Sequence, residues 1–425
     1  MRYQRPKGTQ DILPEQIAEW RLVEEIFRDV CRRFRYSEIR TPMFEDTDLF
    51  LRSVGKETDI VSKEMYTFED RGGRSLTLRP EGTAPVVRAF LEDNLQGQDR
   101  ERLTRLFYLA PVFRYDRPQA GRYRQHHQAG IEAIGSGAPG VDAEVIHLAM
   151  TFYHAVGIPQ VRALLNSVGC PVCRPTYLAA LKAAVGARVV EMCGDCARRY
   201  EENPLRLFDC KVESCRASMA EAPTQVDNLC EECAGHFAEV QTSLKVIGVE
   251  YELDPRIVRG LDYYTKTAFE FVTTGLGAQD AVGGGGRYDG LVEQCGGPAT
   301  PGVGLGMGIE RVLLVRQGLG LHEVEPEREG VYVIALGDEA WETAYRLVSG
   351  LRKMGVPADI DYRKRSMRAQ MKQADAGGFR YAAILGEDEI KAGQITMRDM
   401  TSTEQTAVAM GEVAGWLAAQ DEVAT

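Results

Sequence analysis

Apolar residues near the start of the chain recur at the spacing of an amphipathic helix. Between Pro14 and Arg35 charged residues occupy one face, and the other face carries Ile17, Trp20, Val23, Phe27 and Val30. Gaps of three and four residues predict a helix over residues 14–35. Pro14 suits its first turn, because the N–H that proline lacks would have no partner inside the helix there.

Short alternating or aromatic-rich runs predict strands through the rest of the first 320 residues. We expect them at 36–41, 75–79, 107–115, 125–134, 258–271, 281–291 and 302–308. The runs 107–115 and 125–134 form a hairpin around the basic tip DRPQAGRYR, and the run 302–308 leads directly into a helix, IERVLLVRQ. This region is therefore predicted to be mainly an antiparallel sheet with helices, an α+β fold.

The pattern changes after residues 322–330, a charged stretch (HEVEPEREG) that we interpret as a linker. Beyond it, strands alternate with helices in the order VYVIAL, a helix at 339–354, ADIDY, a helix at 365–376, and YAAILG. Such alternation predicts parallel strand pairs in a separate α/β domain. We therefore expect one domain at 1–325, interrupted by a cysteine-rich insertion at 169–235, and a second at 330–425.

Composition and charge exclude several classes of protein. The 425 residues are 44% apolar, enough for two or three domains. No apolar run approaches the ~20 residues of a membrane span, and the N-terminus lacks the apolar segment of an export signal. We therefore expect a cytoplasmic protein without a membrane partner. The net charge of −11 argues against a general nucleic-acid coat but not against a local basic surface.

The stretch VRGLDYYTKTAFEF at 258–271 places unusual polar groups in a run that resembles a strand. Its second half is aromatic and β-branched, which suits a half-buried strand. Its first half brings together Arg259, Asp262, Tyr263 and Tyr264. Two interpretations remain open: an edge strand with a solvated charge pair, or a pocket wall where a cation and hydroxyls converge on a polar ligand.

Glycines recur at every second position of GVGLGMG, residues 302–308. This period places them all on one face of a strand, which indicates either tight packing or close approach of something flat. The spacing is not that of a P-loop or a dinucleotide fingerprint. Arg311 lies in the first turn of the next helix, where a cation opposes the helix dipole, and this favours an anionic ligand such as phosphate.

The hairpin supplies more cations, at Arg114, Arg117, Arg122 and Arg124. They form either a solvated loop or part of a site. Gln128 and Glu132 are four residues apart in the return strand and therefore share one side. Arginines, an amide and a carboxylate on one hairpin suit a ligand with phosphate and amine ends.

Eight of the ten cysteines lie between Cys170 and Cys233, as three C-x-x-C pairs and one looser pair. Paired thiols at this spacing are typical of tetrahedral zinc. They could form two four-thiolate sites, or one site with spare thiols; the other interpretation is a reduced helical insertion that binds no metal. We favour structural zinc that takes no part in chemistry. The candidate ligands are Cys170, Cys173, Cys193, Cys196, Cys210, Cys215, Cys230 and Cys233.

Several motifs resemble class II aminoacyl-tRNA synthetases and, more narrowly, the histidyl-tRNA synthetase family. Residues 14–35 with Pro42 resemble the first class motif, LAPVFRYDRPQAGRYRQHHQAGIEAIG the second and GVGLGMGIERV the third. VRGLDYYTKTAFE and GGGGRYDGL resemble two histidine signatures, and RPEGTA resembles an amino-group loop. The resemblance covers nearly the whole chain. It implies a class II catalytic domain with an antiparallel sheet, and an anticodon-binding domain at the C-terminus.

The resemblance implies a ligase that joins histidine to tRNA(His) through an adenylate made from ATP with Mg²⁺. It makes Arg259 and Arg114 catalytic, at the α-phosphate. It places the adenine side of ATP on strand 302–308. The residues implied to bind histidine are Glu81, Gly82, Thr83, Gln128, Glu132, Tyr263 and Tyr264. Those implied to bind ATP are Arg114, Arg122, Arg259 and Arg311.

The resemblance further implies a homodimer that uses the first class motif. Independently, RKRSMRAQMK at 363–372 has five basic residues in ten and is a candidate contact for tRNA phosphates. The main alternative is a non-catalytic, histidine-binding regulatory paralogue. Such relatives lack the anticodon-binding domain and parts of the signatures, whereas this chain has both. A synthetase for another amino acid is disfavoured by the two histidine signatures.

Overall fold

The computed structural model describes residues 3–55, 58, 60–97, 102–274, 280–321 and 328–424. Most of the predicted linker, at 322–327, lies outside the described residues. The chain divides into two compact units, Met1–Glu323 and Val324–Thr425. None of the described helices is long and apolar enough to cross a membrane.

The first unit contains a large sheet, a small sheet and ten helices within its described residues. Its strands are β1 (Ser37–Glu38), β2 (Phe44–Asp46), β3 (Tyr66–Glu69), β4 (Ser75–Leu78), β5 (Thr104–Phe113), β6 (Gln125–Ile134), β7 (Arg162–Ser167), β8 (Tyr251–Leu253), β9 (Thr265–Val272), β10 (Ala281–Arg287) and β11 (Gly302–Gly308). Its helices are α1 (Pro14–Arg33), α2 (Thr47–Ser53), α3 (Thr83–Glu92), α4 (Pro139–Ala155), α5 (Arg174–Val185), α6 (Gly194–Glu202), α7 (Glu213–Ser218), α8 (Glu231–Val246), α9 (Leu291–Gln294) and α10 (Ile309–Gly318).

The large sheet has the strand order β1-β5-β6-β11-β10-β9-β7-β8. All its neighbouring strands are antiparallel except the outer pairs β1/β5 and β7/β8. The small sheet is β2-β4-β3 and is antiparallel throughout. The predicted mainly antiparallel sheet is therefore confirmed.

One face of the large sheet is covered by α1, α4, α8 and α10. Trp20, Phe27, Phe152, Leu244 and Val312 are buried there against alternate residues of the strands. The predicted first helix is confirmed, since the apolar stripe of α1 is the face that packs on the sheet. Because one face of each strand is used in this way, the side chains on its other face are free to build a pocket.

Three strand predictions need correction. The strand expected at 36–41 is reduced to Ser37–Glu38, and the strand expected at 281–291 ends at Arg287, before α9 begins at Leu291. The strand expected at 258–271 begins only at Thr265. Residues 258–264 form a loop whose Asp262 N–H donates to Val54 O at 3.2 Å, which is a long-range contact that local sequence pattern does not reveal.

The second unit has the strands β12 (Val331–Ala335), β13 (Ala358–Ile360), β14 (Tyr381–Leu385), β15 (Gln394–Asp399) and β16 (Gln405–Ala409). Its helices are α11 (Asp338–Lys353), α12 (Met367–Ala376), α13 (Glu387–Ala392) and α14 (Val413–Ala424). The sheet order is β13-β12-β14-β15-β16. The first three strands are parallel, which confirms that prediction, and β15 and β16 add an antiparallel edge that was not predicted.

Candidate active site

The floor of the site is a glycine-rich part of the large sheet. Gly304 of β11 lies opposite Glu132 of β6, and Gly308 lies opposite Gln128. A Cβ at Gly304 would overlap the Glu132 carboxylate, and one at Gly306 would overlap the Gln128 amide. The bare strand face therefore exists as predicted, but at Gly304 and Gly306 the chain's own polar side chains use the space.

Glu132 is completely buried behind the pocket. Its carboxylate accepts hydrogen bonds from Thr83 Oγ1 at 2.7 Å and from the Tyr288 hydroxyl at 2.6 Å. Burial raises the pKa of Glu132 to about 8, and the two hydroxyl donors oppose that rise. Without ligand, this carboxyl therefore holds a proton for much of the time at neutral pH.

A second buried carboxylate, Glu81, lies at the start of α3. It accepts the backbone N–H groups of Thr83 at 2.7 Å and Ala84 at 2.8 Å, so it occupies the N-terminal end of the helix dipole. Burial raises the pKa of Glu81, while these two hydrogen bonds and the charge of Arg114 oppose the rise. The Tyr263 hydroxyl donates to Glu81 at 3.4 Å.

Arginines form the opposite wall. Arg114 Nε donates to Pro80 O at 2.7 Å, and Arg122 forms an ion pair with Asp116. Arg311 donates to the carbonyls of Gly121 and Ala281. Desolvation lowers the pKa of Arg311, and the nearby charges of Arg122 and Arg114 lower it further. Cations gathered in this way repel one another until an anion lies among them.

Arg259 extends from the loop before β9 over the same pocket. Its Nη1 lies 3.6 Å from Glu270 Oε1, and its guanidinium lies 5.8 Å from the ring centroid of Tyr264. Within the described chain, its buried Nε has no hydrogen-bond acceptor. The pocket-wall interpretation of residues 258–264 therefore fits the structure better than a solvated edge strand.

A single cavity of about 320 Å³ brings most of the predicted site residues together. Its lining includes Glu81, Thr83, Arg114, Arg122, Gln128, Arg259, Tyr263, Tyr264 and Arg311. Two predicted residues do not line it. Gly82 packs against the Tyr108 ring, where any side chain would collide, and Glu132 lies behind Thr83 and Tyr288.

Sequence reasoning missed several polar residues around the cavity. Asp116, Glu270 and Glu310 line it, and Tyr288 donates to Glu132. Tyr288 belongs to the GGGGRYDGL motif, so a signal for it was present. Glu270 of β9 and Glu310 of α10 carry no local pattern that marks them, and the tertiary fold brings them into the cavity lining.

Two adjacent histidines, His126 and His127, belong to β6. His126 lines the cavity, and burial together with the charge of Arg114 lowers its pKa to about 3, so it is neutral. His127 contacts Glu310 through both its backbone N–H and Nδ1, at 2.9 Å in each case.

The eight cysteines of the insertion form two groups of four. The base cluster consists of Cys170, Cys173, Cys230 and Cys233, and the outer cluster consists of Cys193, Cys196, Cys210 and Cys215. Within each cluster all four sulfurs lie within 4.8 Å of one another. The individual separations include 3.8 Å for Cys170–Cys173 and 3.9 Å for Cys193–Cys210. Tetrahedral zinc with Zn–S bonds of about 2.3 Å requires about 3.8 Å between sulfurs, so the thiols fit that metal.

Comparison with known proteins decides the family. A family model described as histidyl-tRNA synthetase matches residues 8–312. The chain belongs to the histidyl-tRNA synthetase family. The synthetase also matches a model of an anticodon-binding domain over residues 330–420. The family resemblance of the motifs is confirmed.

Relatives match over nearly the full length. The synthetase is 54% identical to a histidine–tRNA ligase of Desulforudis audaxviator over 409 residues, which cover 96% of this chain and 97% of the relative. It is 53% identical to the ligase of Moorella thermoacetica, with 96% of each chain covered.

Solved structures agree with the predicted fold class. The apo histidyl-tRNA synthetase of S. aureus superposes with a TM-score of 0.82 at 38% identity, covering 97% of this chain and 99% of that one. A Bacillus halodurans structure described as an ATP phosphoribosyltransferase regulatory subunit/histidyl-tRNA synthetase shares the fold at 21% identity, with a TM-score of 0.63 and coverage of 91% and 99%. The α+β class II fold is confirmed.

Proposed function

We infer that this synthetase attaches histidine to its tRNA in two steps. The histidine carboxylate attacks the α-phosphorus of ATP and pyrophosphate leaves. A ribose hydroxyl at the end of the tRNA then attacks the adenylate carbonyl and AMP leaves. The observation that carries this proposal is the single cavity in which buried carboxylates and tyrosines face a group of arginines. A regulatory paralogue is not favoured, because the match includes the anticodon-binding domain.

We propose that the carboxylate end of the cavity recognises histidine. Glu132 and Tyr264 pair with the two imidazole nitrogens, since a neutral imidazole offers one donor and one acceptor. Because Glu132 lies behind the Thr83 and Tyr288 hydroxyls, histidine must displace these donors to reach it. Glu81, Thr83 and Gln128 hold the α-amino group, while Tyr263 lines the wall. Two observations support this assignment: Glu81 is fixed by backbone N–H groups, and the buried Gln128 Oε1 has no donor among the described residues.

The arginine end binds ATP, which enters as its Mg²⁺ complex. Arg114 and Arg259 contact the α-phosphate, and Arg122 and Arg311 contact the γ-phosphate. Convergent cations supply fixed charge where negative charge develops, and that is the main requirement of phosphoryl transfer. The lowered pKa of Arg311 supports this role: burial lowers it, the charges of Arg122 and Arg114 lower it further, and a phosphate would relieve that repulsion.

The second unit is proposed to bind the anticodon end of tRNA(His). In the basic stretch 363–372, Lys364 pairs with Asp338 and Arg365 pairs with Asp361. Arg363, Arg368 and Lys372 are exposed and are the better candidates for phosphate contact. The 330–420 match to an anticodon-binding domain supports this placement.

We further propose a cytoplasmic homodimer. Met43, Phe44 and Phe68 are large apolar residues exposed near the small sheet, and the Phe44 and Phe68 rings pack edge to face. An exposed apolar group of this kind suits contact with a second copy.

The first test of the proposed function is ATP–pyrophosphate exchange with each of the twenty amino acids, without tRNA. We expect exchange with histidine only, because Glu132 and Tyr264 pair with both ring nitrogens. A folded protein that binds histidine but exchanges no pyrophosphate with any amino acid would instead be a regulatory protein.

We propose that each cysteine cluster holds one structural zinc ion. Protein purified without chelator should therefore contain two zinc ions per chain, one for each described cluster. Elemental analysis checks this. A content below one ion per chain would mean that the thiols are simply reduced.

A further inference from the structure

The segments that carry the base cluster contact the backbone at Tyr264 and Lys266, next to the proposed histidine pocket. Cys170 and Cys173 follow β7, and Cys230 and Cys233 flank the start of α8, so the cluster closes both ends of the insertion onto the large sheet. Its sulfurs are 3.8 Å apart for Cys170–Cys230 and 4.0 Å apart for Cys173–Cys233. A metal ion here would join two segments that are about 60 residues apart in the chain.

The segment carrying the first two ligands holds the backbone beside Tyr264. The Lys266 N–H donates to Gly169 O, and the Val168 N–H donates to Lys266 O, both at 2.8 Å. Arg174, the residue after Cys173, donates from Nη2 to Tyr264 O at 2.5 Å and from Nε to Val168 O at 3.2 Å. The position of Tyr264 is therefore set by groups that the cluster fixes.

The segment carrying the other two ligands also contacts Lys266, through residues of α8. Glu232, between Cys230 and Cys233, pairs with Lys266 Nζ at 2.9 Å. His236, one turn later, contacts Asp142 at 3.4 Å, and Asp142 pairs with the fully buried Arg287. Arg287 precedes Tyr288, which donates to Glu132, so α8 is also connected to the back of the pocket.

Lys266 itself has a left-handed backbone, with φ of 51°. Such a conformation is strained in a residue other than glycine and persists only where its surroundings enforce it. Here the surroundings are two backbone hydrogen bonds to Val168 and Gly169 and the ion pair with Glu232. Lys266 is the second residue of β9, directly after the junction with the loop containing Arg259–Tyr264, so release of the base would free the loop near this point.

We propose that zinc in the base cluster positions Tyr264 through Arg174 and Lys266, so that histidine recognition depends on this metal ion although the ion touches no substrate. The proposal rests on the proposed function for the identity of the ligand. Arg174 is a positioning residue in this scheme. The outer cluster offers a comparison, since it lies within the insertion around α6 and α7, and the chain between its cysteines contacts the same loop at another residue, where Asn203 donates to Asp262 at 2.9 Å.

Two cysteine variants test the proposal, Cys173→Ser in the base cluster and Cys196→Ser in the outer cluster. Each should lose one of two zinc ions, and each should lose one tetrahedral thiolate–cobalt absorption signal after reconstitution with Co²⁺. Cys173→Ser should raise KM for histidine in ATP–pyrophosphate exchange about tenfold, as expected for loss of one positioning hydrogen bond, and leave KM for ATP within about twofold. Cys196→Ser should raise KM for histidine several-fold less. Equal changes in the two variants would overturn the proposal.

Arg174 variants separate positioning from metal binding. Arg174→Met should keep two zinc ions and still raise KM for histidine about tenfold, and Arg174→Lys should restore part of the affinity because it retains a donor. An unchanged KM in Arg174→Met would contradict the proposed route through Tyr264.

A measurement on the unaltered protein covers the case in which a variant fails to fold. If zinc favours histidine binding, then histidine must favour zinc retention by the same factor. At equilibrium, histidine should therefore raise the concentration of the chelating dye 4-(2-pyridylazo)resorcinol needed to remove one of the two zinc ions, and D-histidine, which chelates free zinc equally well, should not. An equilibrium zinc content that is the same with the two forms of histidine would overturn the coupling. Absence of exchange activity with histidine in this same protein would instead count against the proposed function.

Discussion

Replacing Arg259 with alanine should slow histidyl-adenylate formation by about 10²–10³-fold, the usual cost of removing one preorganised charge from a transition state. Histidine affinity should change by less than about threefold, because the cation faces the phosphate side of the cavity. The side chain is 20% exposed and leans towards Glu270, and its Nε has no acceptor among the described residues. Single-turnover adenylate formation and equilibrium dialysis of histidine measure the two quantities.

Arg259→Lys is the matched control, since it keeps the charge but loses the planar fork that fits a phosphate. We expect an adenylation rate between those of the alanine variant and the unaltered protein. If alanine weakens histidine binding as much as it slows the reaction, then Arg259 is a general support of the loop and has no special role in the transition state.

The fold was largely predictable because most elements carry their period in the sequence. The stripe of α1 and the hairpin of β5 and β6 needed only local pattern, and the shared side of Gln128 and Glu132 followed from strand geometry. The loop at 258–264 was misread because its polar groups are satisfied by distant segments, such as Asp262 by Val54. β15 (QITMRD) does alternate, with Ile395 and Met397 buried, so its signal was present and was overlooked. β16 lies at the edge of the sheet, and its residues are largely exposed, so it carries little apolar alternation.

The site was partly predictable for the same reason. Motif resemblance selected the arginines and carboxylates that line one cavity. It could not show that Glu132 lies behind that cavity, bonded to Tyr288, because that depends on the register of β6, β11 and β10. Nor could spacing decide how the cysteine pairs combine. Cys170 and Cys173 join Cys230 and Cys233, across the whole insertion, only because the segment after β7 meets the start of α8 at its base.

Replacing Glu132 with glutamine should abolish most histidine activation and yet stabilise the protein at higher pH. The unfolded chain should lose the Glu132 proton near the ordinary value of 4.5, whereas burial raises the pKa in the folded state to about 8. Between these values only the folded state holds the proton. The contribution of Glu132 to the free energy of unfolding is therefore fully present at low pH. It falls by about 1.4 kcal/mol per pH unit as the pH rises towards 8.

Glutamine does not titrate, so the variant should lose this dependence. From about pH 5.5 to about pH 7.5, its free energy of unfolding relative to the unaltered protein should rise by about 2 kcal/mol, measured by urea denaturation. The comparison variant is Glu92→Gln, the same chemical change on the exposed side of α3.

The Glu132→Gln variant should be less active, although it should be more stable at higher pH. The amide cannot match the imidazole as the carboxylate does, so KM for histidine in pyrophosphate exchange should rise about 10²-fold. A carboxylate kept in a site where its own charge is costly makes sense only if a ligand compensates for that cost. If Glu132→Gln instead lowers the free energy of unfolding at both pH values and leaves KM for histidine unchanged, then the hydrogen bonds from Thr83 and Tyr288 to Glu132 only stabilise the fold. In that case other groups must bind the imidazole.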